Sequence, residues 1–274
     1  MARLLFASWN VNSLKVRLPQ VLDWLASSGA DALVLQETKM TDEVFPKDAF
    51  LDAGFDALFL GQRTYNGVAL LSKKSSFETP ASVELNLPGY PDEQKRFLSA
   101  LLTPKAGGAP VHPVRPIRFC GGYFPNGQEV GSSKYLYKLD WISVLTRHLQ
   151  KLLAADPRLI LGGDFNIAPA DADVWNPAAW AGRILCSAPE RQAYERLLSI
   201  GLCDSFRLVP QPADSFSWWD YRQSGFEKNQ GLRIDLLLVS EALKGAVRKA
   251  AVDSRPRAAV QPSDHAPVTV ELEL

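Results

Sequence analysis

Leu159-Ile160-Leu161-Gly162-Gly163-Asp164-Phe165-Asn166 is the stretch whose reading decides the fold. Its apolar start is too brief for a surface helix and reads as a buried strand. The two glycines that follow permit close approach of a backbone or a phosphate. Strand alternation then puts Asp164 and Asn166 on one face and Phe165 on the other, so that a carboxylate and an amide address one small ligand together.

Working outward, similar apolar runs bounded by Gly, Pro, Asn or Asp occupy residues 4–9, 32–35, 57–60, 68–71, 97–102, 117–124, 234–239 and 268–272. Each is expected to be a buried strand. Helical periodicity lies between them at residues 18–26, 135–153 and 190–198. The stretch 103–116, rich in Pro and Gly, reads as a long turn between adjacent strands or as the middle of the molecule. A strand-rich α/β fold follows, with two similar halves packed sheet against sheet and helices outside.

The composition sets limits on function. With 274 residues, 46% apolar and 22% charged, the chain is expected to form one globular domain over residues 1–274. Thirty Lys plus Arg balance thirty Asp plus Glu, so the net field does not attract a polyanion. A nucleic-acid enzyme of this charge has to gather its cations on one face and draw positive charge from metal ions in a carboxylate-lined cleft. Cys120, Cys186 and Cys203 make neither a disulfide framework nor a zinc site. No apolar segment is long enough for secretion or for a membrane span, so a cytoplasmic protein is expected.

Polar chemistry gathers where the apolar runs end: Trp9-Asn10, Gln36-Glu37, Asp164-Phe165-Asn166, Arg233-Ile234-Asp235 and Ser263-Asp264-His265. Taken singly, Asn10, Asn166 or Asp235 is an ordinary turn former or helix cap. Together these strand ends assemble an oxygen-rich set, Glu37, Asp164, Asp235 and Asp264, suited to Mg²⁺ or Mn²⁺. His265, next to Asp264, adds a group able to donate to an oxyanion. The parts describe phosphoryl transfer to water. His112 and His148 carry no such context, and Trp141, Trp175 and Trp180 are expected to pack in the interior.

The strings Trp9-Asn10-Val11-Asn12, Leu35-Gln36-Glu37-Thr38-Lys39, Gly163-Asp164-Phe165-Asn166, Gly231-Leu232-Arg233-Ile234-Asp235 and Ser263-Asp264-His265-Ala266-Pro267 resemble, in order and spacing, the motif series of exonuclease III and the abasic-site endonucleases. Tyr65-Asn66-Gly67-Val68-Ala69-Leu70-Leu71, Gly122-Tyr123-Phe124-Pro125-Asn126-Gly127 and Phe216-Ser217-Trp218-Trp219-Asp220-Tyr221-Arg222 extend the likeness over the whole chain. The metal-site strings alone indicate the wider endonuclease/exonuclease/phosphatase superfamily; those bearing Trp218 and Leu232 narrow it to the DNA-repair branch.

The resemblance implies a four-layer α/β sandwich like deoxyribonuclease I, two packed mixed sheets flanked by helices, with the site at one edge. It implies a Mg²⁺-dependent phosphodiesterase, served also by Mn²⁺, acting on double-stranded DNA at abasic sites and 3′ ends. The activities are 3′ to 5′ exonuclease, abasic-site incision and 3′ phosphatase. Glu37 is the principal metal carboxylate, with Asn10, Asp264, Asp164, Asn166 and His265 around the metal and Asn12 as a weaker second ligand. Asp164 is the general base or water-positioner, Asn166 its partner on the phosphate, and His265 a phosphate ligand oriented by Asp235. Tyr123, as hydroxyl donor or ionised group, and Asn126 complete the phosphate pocket. Trp218 walls the place for a sugar without its base, Trp219 packs, and Leu232 loosens that pocket. Tyr65, Arg63 and Lys39 are candidates for backbone contact. A monomer is the default. The alternatives are a superfamily phosphatase acting on a lipid or inositol phosphate, and a nucleic-acid-binding regulator that has lost catalysis; the second should lack some of Glu37, Asp164, Asn166, Asp235 and His265, and none is missing.

Overall fold

The computed structural model describes residues 3–105 and 115–274; the expectation for His112 falls outside them. A first sheet opens with β1 (Arg3–Asn10), β2 (Ala32–Gln36), β3 (Phe55–Leu60) and β4 (Val68–Lys73). The second contains β5 (Ala81–Leu85), β6 (Phe97–Leu102), β7 (Ile117–Tyr123), β8 (Leu159–Asp164), β9 (Leu202–Asp204) and β10 (Asp235–Ser240). The chain then returns to the first sheet with β11 (Val247–Val252) and β12 (Val268–Glu273). Spatial orders are β11-β12-β1-β2-β4-β3 and β5-β6-β7-β8-β10-β9. Each sheet holds a parallel pair, β1 with β2 and β7 with β8, and its other neighbours are antiparallel. The connection inside each parallel pair is a long helix, α1 (Leu14–Ser28) in the first sheet. A short α2 (Lys47–Asp52) follows, and α3 (Ser133–Ala155) makes the second connection. Three further helices are α4 (Pro177–Trp180), α5 (Ala188–Leu198) and α6 (Glu241–Lys244).

Alternation along the strands explains the layers. In β1, Leu4 and Phe6 face the opposite sheet, where they meet Phe119, Ile160 and Leu237 in one buried cluster. Ala7 and Trp9, one residue out of phase, pack under α1 with Leu14, Val21 and Leu25. In the second sheet Ile160 and Leu237 point inward, while Leu161, Leu236 and Leu238 lie under α3 and α5 with Trp141, Leu145 and Leu197. The result is helix, sheet, sheet, helix: the four-layer sandwich expected from the sequence. No helix among the described residues is long and apolar enough to cross a membrane.

The two glycines of the opening stretch bring elements together. A Cβ on Gly162 would lie 2.9 Å from Leu237 and 3.0 Å from Val34 of the other sheet, and one on Gly163 would lie 2.1 Å from the Gly122 carbonyl oxygen. Sheet packing and a neighbouring strand, not a phosphate, occupy the space they leave.

Each expected strand is present, but β5, β9 and β11 have no counterpart in the sequence reading. All three are sheet edges, where one side of the strand faces solvent and the apolar run disappears: β5 is mostly exposed, β9 has three residues, and β11 carries Arg248 and Lys249. β6 and β7, on either side of residues 103–116, are antiparallel neighbours within a second sheet that runs from Ala81 to Ser240, so the stretch does not mark the middle of the molecule; its residues 106–114, and with them the expected turn, lie outside the described residues. Trp141 and Trp180 pack as expected, but Trp175 is 39% exposed. Val174 bridges Leu232 from the extended segment before it, which turns the next side chain outward.

Candidate active site

The inward phase of the alternation turns polar at one edge of the sandwich. Asn10 ends β1, Gln36 ends β2 just before Glu37, Tyr123 ends β7, Asp164 ends β8, and Asp235 begins the antiparallel β10 at the same edge, directly opposite Asp164 in register. Glu37, Lys39, Asn12 and Asn166 all have positive φ, 54°, 55°, 43° and 49°. Such strain in non-glycine residues persists only where surroundings impose it. Here the turn at Asn66 and Gly67 imposes it on the Glu37 loop: Thr38 and Lys39 donate backbone N–H groups to the Gly67 and Asn66 carbonyls. Gly67 has φ +88°, and a Cβ there would meet the Thr38 hydroxyl at 2.1 Å.

Three side chains, Asn10, Tyr123 and His265, clasp the sheets together at this edge. The Asn10 amide donates to Glu37 Oε1 at 2.8 Å and to Asp164 Oδ2 at 2.9 Å. The Tyr123 hydroxyl donates to Glu37 Oε1 at 2.9 Å. His265 Nδ1 lies 2.8 Å from Asp235 Oδ2, and its Nε2 lies 3.8 Å from Asp164 Oδ2. Asn166 donates its backbone N–H to Asp164 Oδ1 at 2.9 Å and its side-chain amide to Asp164 Oδ2 at 3.1 Å. Asn126 donates in turn to Asn166 Oδ1 at 2.9 Å.

Burial and charge set the protonation states. Burial pushes the Asp164 carboxyl up to about 7, a rise that His265 opposes and Asp235 reinforces. Burial alone would lower His265, but Asp235 and Asp164 outweigh it and raise the imidazole to about 10, so the ring is charged at neutral pH. Burial would likewise raise Glu37; Lys39 and the Asn10 amide hold it below its ordinary value. Tyr123 is driven well up by burial, then by Glu37 and Asp164, which makes it a neutral donor in the metal-free protein.

The other expected residues are engaged within the protein as follows. Asp264 stands apart from the Glu37 group, its two carboxylate oxygens accepting from Asn12 at 2.9 Å and Trp218 Nε1 at 3.0 Å. Lys39 does not reach out from the rim; its ammonium lies 2.7 Å from Glu37 Oε2 and also donates to Asn12. The Asn166 side-chain oxygen is taken by Asn126. Leu232 is fully buried, exchanging backbone hydrogen bonds with Trp218 at 2.9 Å, so it packs beneath Trp218. Trp219 packs with Phe216 and Ala266. Tyr65 is exposed at the mouth of a groove of about 730 Å³ that it shares with Arg96, Tyr123, Asn126, Lys134 and Tyr137. Arg63 is exposed at the surface.

A model of the endonuclease/exonuclease/phosphatase family matches residues 7–265. Exodeoxyribonuclease III of Haemophilus influenzae is 35% identical, over 98% of this chain and 99% of that one. The chain belongs to the exonuclease III group of this family. The solved structure of the 3′ phosphatase NExo from Neisseria, bound to a product DNA hairpin, is 41% identical with a TM-score of 0.90, covering 99% of this chain and all of that one. An AP endonuclease from Archaeoglobus fulgidus is 32% identical with a TM-score of 0.89, covering 99% and 100%.

Within this family the donors suit a metal. One ligand atom each from Glu37, Asp164 and His265 lie within 4.8 Å of one another. Asp235 Oδ1, buried beside them, has no hydrogen-bond partner among the described residues. Two hard carboxylates with a buried, unpartnered oxygen nearby fit a divalent cation that prefers oxygen. Some supporting residues escaped the sequence reading. The Ser217 hydroxyl donates to Asp235 Oδ2 at 2.7 Å and accepts from the Ile234 and Asp235 N–H groups at 3.0 Å. The Ser263 hydroxyl donates to the Asn10 carbonyl at 2.7 Å, latching the His265 loop to β1. Lys138 is fully buried under Asn126 and Asn166. It had a visible signal: it interrupts an apolar stripe on α3 formed by Tyr135, Trp141, Ile142, Leu145, Leu149 and Leu152.

Proposed function

We propose that this nuclease is a DNA-repair phosphodiesterase that hydrolyses P–O3′ bonds of double-stranded DNA at abasic sites, recessed 3′ ends and 3′ phosphates. Mg²⁺ is its cofactor, and Mn²⁺ substitutes. The observation that carries the reading is the meeting of Glu37, Asp164, Asn166 and the Asp235–His265 pair at one sheet edge. Its DNA substrate is supported by the Neisseria phosphatase bound to a DNA hairpin and by the Archaeoglobus AP endonuclease. The chain acts as one domain and a monomer, in the cytoplasm.

Glu37 and Asn10 would hold the cation, with Asp164 beside them. When bound, it supplies Lewis-acid charge to the scissile phosphate. Asp164 positions a water and takes its proton as the water oxygen bonds to phosphorus and the P–O3′ bond breaks, the 3′ oxygen leaving with the bonding pair and taking a proton from solvent to become the 3′ hydroxyl. The charged His265 donates to a non-bridging oxygen, whose negative charge grows toward the transition state, and a donor fixed beforehand favours that state over the ground state; Asn166, whose amide protons go to Asp164 Oδ2 and the Phe124 carbonyl at 3.1 Å, holds Asp164 toward the phosphate. His265 Nε2 faces Asp164, where the ring can donate to the phosphate or stand beside the cation. Asp235 fixes the ring. Trp218 presents a partly buried indole, tied through Nε1 to Asp264, against which a sugar without its base fits better than one carrying a base.

The test is incubation with Mg²⁺ of labelled duplexes carrying an abasic-site analogue, a recessed 3′ hydroxyl or a 3′ phosphate, beside duplex-free lipid and inositol phosphates. Processing of the duplexes supports the reading. Hydrolysis of the small phosphoesters alone moves the chain to the phosphatases, and binding of DNA without cleavage makes it a regulator.

A further inference from the structure

We infer that Lys138 is a positioning residue for catalysis, its buried ammonium setting the two asparagines whose side chains lead to Asp164. The inference rests on the nuclease reading above. Lys138 and Glu190 are both fully buried and paired with each other. The three ammonium protons have three acceptors: Glu190 Oε1, the Asn166 carbonyl at 2.6 Å and the Asn126 carbonyl at 3.2 Å. The side-chain amides of the same two asparagines form the chain Asn126 to Asn166 to Asp164. One charge therefore fixes from behind the two loops whose side chains hold Asp164 in front.

Geometry elsewhere shows that the site is built around this lysine. Glu190 is itself held by the Leu185 N–H at 3.0 Å, and by the Ser187 N–H at 3.0 Å and hydroxyl at 2.6 Å. Beside Asn126, Gly127 has φ +90°, and a Cβ there would press on the Lys138 side chain at 3.1 Å. A buried ion pair is weak grounds for stability, since an apolar pair of similar volume often serves as well. The pair instead supplies placement: Asn166 sits at φ 49°, a strained backbone that the Lys138 bond to its own carbonyl helps to hold.

The test replaces both charges, Lys138→Met with Glu190→Gln, so that no unpaired charge is left in the interior. On the 3′-phosphate duplex with Mg²⁺, kcat should fall about 100-fold, the scale of an ångström of misplacement, while KM moves less than about threefold. In an Asn166→Ala background the same pair of changes should cost less than about threefold, because the group being placed is gone. Lys138→Arg, which keeps charge and donors, should restore most of the rate. A double variant within threefold of the parent, or a full loss repeated in the Asn166→Ala background, would overturn the inference. Amide hydrogen exchange decides the matter independently of turnover: residues 124–128 and 165–168 should exchange faster in the double variant while β7 and β8 do not, and unchanged exchange there would overturn it. An inactive parent enzyme, by contrast, would count against the nuclease reading alone.

Discussion

At the scale of the residue, the site works by holding opposite charges in a buried place where neither would stand alone. The Asp235–His265 pair is the clearest case. His265 rises to about 10 from an ordinary value of 6.5, so its contribution to stability is complete below pH 6.5 and is lost as pH rises through about 10. NMR titration of the ring in metal-free protein should show a midpoint far above 6.5, falling back toward it in Asp235→Asn; an unshifted ring in the parent would refute the pairing. The wall formed by Trp218 is tested by Trp218→Ala, which should lower kcat/KM on abasic duplexes by about 10- to 200-fold, the range for lost pocket contacts, and less on 3′-phosphate ends. Equal losses on both substrates would remove Trp218 from sugar selection. The polar groups at strand ends were legible because apolar runs stop there, but Asn166 meets Asp164 through a turn at φ 49° beyond the end of β8 and not through the strand alternation the sequence suggested. The supporting residues were not: Ser217 and Ser263 are small, common residues whose importance lies in the backbone they touch.

At the scale of the element, close packing of sheet and strand around β8 makes its two glycines unequal. A methyl on Gly162 meets side-chain carbons of Leu237 and Val34, which can shift; a methyl on Gly163 meets the backbone oxygen of Gly122, which cannot shift without parting β7 from β8. Gly162→Ala should cost roughly 1–3 kcal/mol, the usual range for overpacking, and Gly163→Ala more, by urea denaturation. The reverse order would contradict the packing. Ser132 caps α3 through the Tyr135 N–H, and Ser132→Ala should cost about 1 kcal/mol in the same assay. Buried central strands were legible as apolar runs, while β5, β9 and β11 were not, because an edge strand is defined by pairing with its neighbour and not by its own apolar content.

At the scale of the whole molecule, two sheets of matching topology meet face to face, and the site exists only where both end together. Glu37 and His265 come from the first sheet's side, Tyr123, Asp164 and Asp235 from the second, and the contacts among them are clasps between the halves. The return of β11 and β12 to the first sheet closes the structure and delivers His265. The neutral total charge seen in the sequence is thus compatible with a nucleic-acid enzyme, since cations gather locally: Arg96 and Lys134 line the groove that adjoins the carboxylates of the site. That local concentration was invisible in composition, which counts charges without placing them. The central claim is that this edge cleaves phosphodiesters with Asp164 and a divalent cation, and cleavage of the abasic, recessed and 3′-phosphate duplexes by the parent and Asp164→Asn, each with Mg²⁺ or EDTA, tests it most directly. The account predicts products only from the parent with Mg²⁺; an Asp164→Asn enzyme as fast as the parent, or a parent unaffected by EDTA, would contradict it.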